Sequence, residues 1–139
     1  MTVTHCDSEP LRWPLLAGAV AGLLAVIAGA FGDHGLRGQV DAYRLDVFRT
    51  AVSYQMYHAL ALVLVTLLAG QGWPRRRLLW AAGFYLAGIL MFSGSLYLLV
   101  LSGQHWLGPV TPMGGLCFMA GWAMLASAAC GRYSTRTQR

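Results

Sequence analysis

Hydrophobic and polar positions along this chain are not interleaved; they come in blocks. Between Arg12 and Asp33 there is no ionisable acid or base. Between Arg49 and Arg75 the titratable side chains are Tyr54, Tyr57 and His58. From Leu78 to Gly131 there is no Asp, Glu, Lys or Arg. Crossing a hydrocarbon core of about 30 Å takes about 20 helical residues at about 1.5 Å each. The first two blocks fit one span each, and the third is long enough for two. The pattern predicts an all-α fold, an integral membrane four-helix bundle. Spans are expected at about 14–32, 50–70, 78–101 and 109–130. They form one domain over 13–131, between polar tails at 1–12 and 132–139.

The connections carry their own signals. Gly32 to Gly38 is a Gly-rich exit bearing Asp33, His34 and Arg37. Over 39–49, Val40, Tyr43, Val47 and Phe48 recur at helical spacing, with Asp41, Arg44, Asp46 and Arg49 between them. This predicts a short amphipathic interfacial helix, lying at the membrane surface or running straight into the second span. Asp41 with Arg44, and Asp46 with Arg49, are i,i+3 pairs, each worth only a few tenths of a kcal/mol. Gly70-Gln71-Gly72-Trp73-Pro74 reads as a turn, and Ser102-Gly103-Gln104-His105 as a break. In the first span Gly18, Gly22, Ala25 and Gly29 form a stripe of small residues, which lets a neighbouring backbone approach closely. Ala28-Gly29-Ala30 resembles a leader cleavage site. The acids before it and the length of the apolar run favour a retained span instead.

Composition agrees with lipid as the second solvent. The chain is 57% apolar and 11% charged, against about 25% charged in ordinary soluble domains. All ten basic residues are Arg. They sit beside the apolar runs, so the net charge of +5 signals topology rather than a nucleic-acid partner. With four spans, one side holds Arg12, Arg75, Arg76, Arg77, Arg132, Arg136 and Arg139. The other holds Arg37, Arg44 and Arg49, interleaved with three acids. That asymmetry predicts both termini in the cytoplasm. Trp13, Trp73 and Trp80 then mark the inner interface and Trp106 the outer one. Cys6, Cys117 and Cys130 have neither disulfide nor zinc spacing and read as small packing residues.

Candidate chemistry is confined to polar residues inside the spans. Tyr54, Gln55 and His58 share a face at i, i+1 and i+4, Ser93 and Ser95 lie late in the third span beside Tyr97, and His34 and Thr111 belong to span ends. All fall in the outer half of the bilayer under this topology. Three readings stand side by side: a structural hydrogen-bond cluster, a site for a small molecule, lipid or ion, and a metal or redox centre built on His34 and His58. Depth counts against the third. His58 lies nine residues past Arg49, about 13 Å along a helix, so it stands far below His34 if Asp33 and Arg49 are level. Asp33 beside His34 reads as a solvated turn or as a pH-sensitive gate. No nucleophile–base–orienter set is visible. No catalytic residue, metal or cofactor is therefore expected.

Four motifs occur in order: Gly29-Ala30-Phe31-Gly32-Asp33-His34-Gly35-Leu36, then Thr50 to Leu62 (TAVSYQMYHALAL), then Gly88 to Tyr97 (GILMFSGSLY), then Thr111-Pro112-Met113-Gly114-Gly115. With them the chain, from about Leu15 to Ala129, resembles the YgdD/YwdK-like family of small bacterial inner-membrane proteins, which has a eukaryotic four-span relative. The resemblance implies four spans, an uncleaved first helix and a place in the bacterial inner membrane. The family has no assigned activity, so no catalytic residue carries over. His34 and His58 match its motif positions, whereas Asp33 stands where the family pattern has Ala. The expected function is non-enzymatic, exerted through contacts in the lipid bilayer as a homo-oligomer or as an accessory to a larger membrane complex. The alternative is a small-solute or proton transporter or channel using the outer polar cluster. The lack of intramembrane Asp, Glu, Lys and Arg counts against a charge-driven pump.

Overall fold

In hydrocarbon a peptide group finds no water, so an apolar segment must bond its own backbone, and the helix does this within one segment. The computed structural model describes residues 11–103 and 108–136. The tail at 1–10 with Cys6, the break at 104–107 with Trp106, and residues 137–139 lie outside them. The helices are α1 (Arg12–Phe31), α2 (Ala42–Gly70), α3 (Arg75–Gly88), α4 (Gly94–Ser102) and α5 (Val110–Arg136). A π-helical turn at Gly32–Leu36 prolongs α1, and another at Ile89–Ser93 joins α3 to α4 into one rod. Among the described residues four segments are long and apolar enough to cross a membrane: Arg12–Leu36, Ala42–Gly70, Arg75–Ser102 and Val110–Cys130. Among the described residues there is no strand, only an isolated bridge between Arg37 and Val40.

The amphipathic segment expected at 39–49 is not a separate surface helix. Helix α2 starts at Ala42, and no Gly or Pro interrupts it before Gly70. Asp41 caps it, its carboxylate accepting the Arg44 N–H at 2.9 Å. Phe48 packs on the bundle with Leu36 and Val100, with Leu45 and Val47 against them, whereas Tyr43 stays exposed. Arg44 keeps the expected pairing with Asp41, at 3.5 Å. Arg49 instead reaches across to Asp33, its Nε 3.1 Å from the carboxylate. This pair ties the end of the first span to the start of α2 and puts Asp33 and Arg49 at one level.

The principal packing runs α1 on α2, α2 on the α3–α4 rod, and α3 on α5. Helix α2 and the rod are therefore central, with α1 and α5 on the flanks. The main core gathers Leu62, Val65, Leu78, Ala82, Tyr85 and Phe118 toward the Arg75 end. Helix α1 meets α2 through its small-residue stripe. A Cβ on Gly18 would lie 2.8 Å from the Ala59 carbonyl oxygen, Ala25 is fully buried, and Gly29 faces Val52. Gly22 is looser, with 3.9 Å to the Ala59 methyl. Among the described residues the closest approach to a neighbouring backbone is at Gly114 on α5, where any Cβ would collide with Phe92 in the π turn. Two grooves remain. One, of about 630 Å³, lies between α1 and the α3–α4 rod; the other, of about 410 Å³, lies between α2 and α5.

Candidate functional site

Tyr54, Gln55 and His58 are placed by the uninterrupted helix α2, but tertiary packing divides them. Gln55 belongs to the α1 side. Its Nε2 donates to the Ala21 carbonyl at 2.8 Å, and its Oε1 accepts the Tyr97 hydroxyl at 2.9 Å. This buried amide thus joins α1, α2 and α4. Consecutive helical residues point about 100° apart, and here that angle separates one groove from the other.

His58 and Tyr54 border the α2–α5 cleft. The His58 ring is buried, stacked on Phe118 with centroids 3.4 Å apart and planes 7° from parallel. The Trp122 indole N–H donates to His58 Nε2 at 3.2 Å. An indole nitrogen only donates, so Nε2 must carry the free lone pair. Nδ1 then holds the proton and donates to the Tyr54 carbonyl at 2.8 Å. Both nitrogens are engaged, and the imidazole in this arrangement is neutral. Trp122 was not a candidate on sequence grounds, because a lone Trp within an apolar run carries no sign of its partner.

The rod contributes three more links. Ser93 is fully buried and donates to the Ala51 carbonyl at 2.8 Å. Ser95 lies 2.7 Å from the Thr111 hydroxyl and 2.9 Å from the Phe92 carbonyl, so the pair shares its protons between α4, α5 and the π turn. Tyr97 closes on Gln55; a Tyr inside an apolar run was the one sequence signal for it. At the other end of α2, Thr66 bonds its own helix at Leu62, as small hydroxyls in membrane helices commonly do.

His34 is not part of this set. It is exposed on the first π turn, beside the Asp33–Arg49 pair. Because Asp33 and Arg49 are level, His58 stands about 13 Å deeper along α2, and the two imidazoles do not converge. Among the described residues no three His, Cys, Asp or Glu side chains group as a metal site. Cys117 and Cys130 are free thiols.

Comparison with known proteins assigns the sequence to a family. Residues 28–115, from the end of α1 to the first turns of α5, match the family described as "Protein of unknown function (DUF423)". The chain belongs to the DUF423 family. It is 44% identical over 111 residues to a UPF0382 membrane protein of Staphylococcus aureus, covering 80% of this chain and 89% of the relative. It is 44% identical over 115 residues to the UPF0382 membrane protein YwdK of Bacillus subtilis, covering 83% and 94%. A Staphylococcus haemolyticus UPF0382 membrane protein is 41% identical over 111 residues, covering 80% and 89%. No solved structure matches the chain. The DUF423 match agrees with the YwdK-like resemblance and with a multi-pass membrane protein whose family has no assigned molecular function. It includes every hydrogen-bonded polar residue described above except Trp122.

Proposed function

We propose that this protein acts through contacts within the membrane, and that its interior polar groups serve as fasteners between its own helices. One observation carries the reading. Gln55 to Ala21, Tyr97 to Gln55, Ser93 to Ala51, Ser95 with Thr111, and Trp122 to His58 are all bonds between helices. Together they join α1, α2, the rod and α5. A solute path needs polar groups free to exchange partners, and these spend their bonds on helix carbonyls and on one another. The groove beside Gln55 is lined almost entirely by apolar side chains such as Val20, Leu24, Ile27 and Leu90.

The contacts available to others lie on the flanks. Leu16, Leu23 and Val26 on α1, and Leu116 and Met119 on α5, are exposed. We assign these faces to lipid and to a second copy or a larger membrane complex. The arginine asymmetry of seven against three supports both termini in the cytoplasm of a bacterial inner membrane.

Leu23→Cys, cross-linked in native membranes, is expected to trap a homodimer or a larger adduct. Recovery of isolated monomers at every accessible α1 position would overturn the contact reading. Purified protein in liposomes is expected to conduct protons and small solutes no faster than empty vesicles. Flux abolished by His58→Ala would establish transport in its place. A reporter enzyme active only outside the cytoplasm, fused after Arg139, is expected to stay silent.

A further inference from the structure

One group in the polar set has no place in this fastening. The Tyr54 side chain lines the α2–α5 cleft, is 40% exposed, and its hydroxyl makes no hydrogen bond among the described residues. Tyr54 lies five residues past Arg49, about 7.5 Å deeper along the helix, where water is scarce and an unmet donor is costly. Behind the cleft wall stands a second phenol in the same condition. Tyr85 is fully buried, its ring 5.6 Å from His58 and 5.4 Å from Trp122, and its hydroxyl has no partner.

The cleft itself is built of rings. Tyr54, Phe92, Phe118, His58 and Trp122 line it, with Gly115 leaving space on the α5 side. Its volume of about 410 Å³ falls in the range of small-molecule sites. We propose that this cleft binds the ring of a membrane-dissolved quinone, with the Tyr54 hydroxyl donating to a ring carbonyl. Three features select that chemistry. Aromatic walls favour a flat, polarisable ring, which stacks in offset or edge-on geometry. The unmet group is a donor and calls for an acceptor oxygen. The site opens beside exposed Leu116 and Met119, so its ligand arrives from the hydrocarbon. An acyl chain satisfies the third condition alone. A neighbouring helix offers backbone carbonyls already bonded within that helix. A phospholipid ester does present a carbonyl, without the ring, and the test separates it. The inference concerns a donor that the fasteners leave over at the cleft, and does not depend on the contact reading above.

The experiment uses the full-length protein in phosphatidylcholine vesicles, titrated with decylubiquinone while tryptophan fluorescence is recorded. Quinones quench nearby indoles, and Trp122 borders the cleft. The wild type is expected to show a saturable component that Trp122→Phe removes. Gly115→Leu should abolish saturation, because a Cβ at Gly115 meets nothing within 4 Å and the larger side chain grows into the cleft. Tyr54→Phe, which keeps the ring and the fold, should weaken binding about three- to tenfold, the loss of one hydrogen bond. Quenching that rises linearly without saturating, or a dissociation constant unchanged in both Gly115→Leu and Tyr54→Phe, overturns the proposal. So does native mass spectrometry that finds a phospholipid retained by the wild type, lost in Gly115→Leu, and not displaced by the quinone; the ester carbonyl would then be the occupant.

Discussion

The α1–α2 seam and the contact of α5 with the α3–α4 rod both bring helices close through glycine, by different means. On α1, Gly18, Gly22, Ala25 and Gly29 form a stripe along one helix, and backbone meets backbone near Ala59. On α5 the small residues receive rings. Gly121 lies under Tyr85, and Gly88 of α3 reciprocally admits Phe118, while Gly114 rests on the backbone of Phe92. The first seam is repetitive and made by one kind of contact. The second is a set of individual ring-and-hole fits, pinned where the π turn brings the Phe92 backbone forward. In lipid, where tails are as apolar as leucine, such packing carries helix association that water would drive in a soluble core. The flank with α1 is latched by Gln55 to Ala21 at its middle, by Arg49 to Asp33 at one end and by Thr66 to Leu11 at the other. The flank with α5 is latched at Thr111, at Trp122, and where the Arg77 guanidinium donates to the Ser127 carbonyl.

The contrast can be broken most forcefully at Gly114. Gly114→Val drives a branched side chain into the Phe92 backbone, which cannot turn away as a side chain could. We expect a loss of about 3 kcal/mol or more, at the upper end of overpacking costs, read by unfolding in mixed detergent micelles. A loss below about 1 kcal/mol would show that α5 is free to slide. Gly18→Val should cost less, about 2 kcal/mol, because α1 packs chiefly on α2 and can move outward as a unit. Equal costs at the two sites would erase the distinction between the seams. Gln55→Leu should lose about 1 kcal/mol, the scale of interhelical hydrogen bonds in membranes, and should loosen α1 selectively. Hydrogen exchange rising equally in α5 would contradict that assignment. Gly22→Ala should lie within about 0.5 kcal/mol of wild type, since an added methyl would stand at ordinary contact distance, 3.9 Å, from Ala59. A large penalty there would mean that the seam is tighter than its geometry.

Much of the architecture was legible along the chain. Each long uncharged block is a helix because lipid leaves the backbone no other partner. The Gly18 stripe could be read as a packing face because periodicity within one helix is local information. The polar candidates were legible as a list and not as a site. Tyr54, Gln55 and His58 looked like one face, yet Gln55 serves α1 and Tyr97 while His58 serves α5. Arg49 looked paired with Asp46 on its own helix and is paired with Asp33 on the preceding one. Trp122 gave no sign at all.

Hydropathy and the obligation of buried peptide groups to bond within their own segment determined how many times this chain can cross a bilayer and roughly where it turns. Nothing in those rules says which helix a side chain will meet. Partnership, the division of the polar residues between two grooves, and the phenols of Tyr54 and Tyr85 left without an acceptor among the described residues were decided when the helices packed. Each of those depends on residues far apart in sequence, brought within about 3 Å by shapes that exist only in three dimensions.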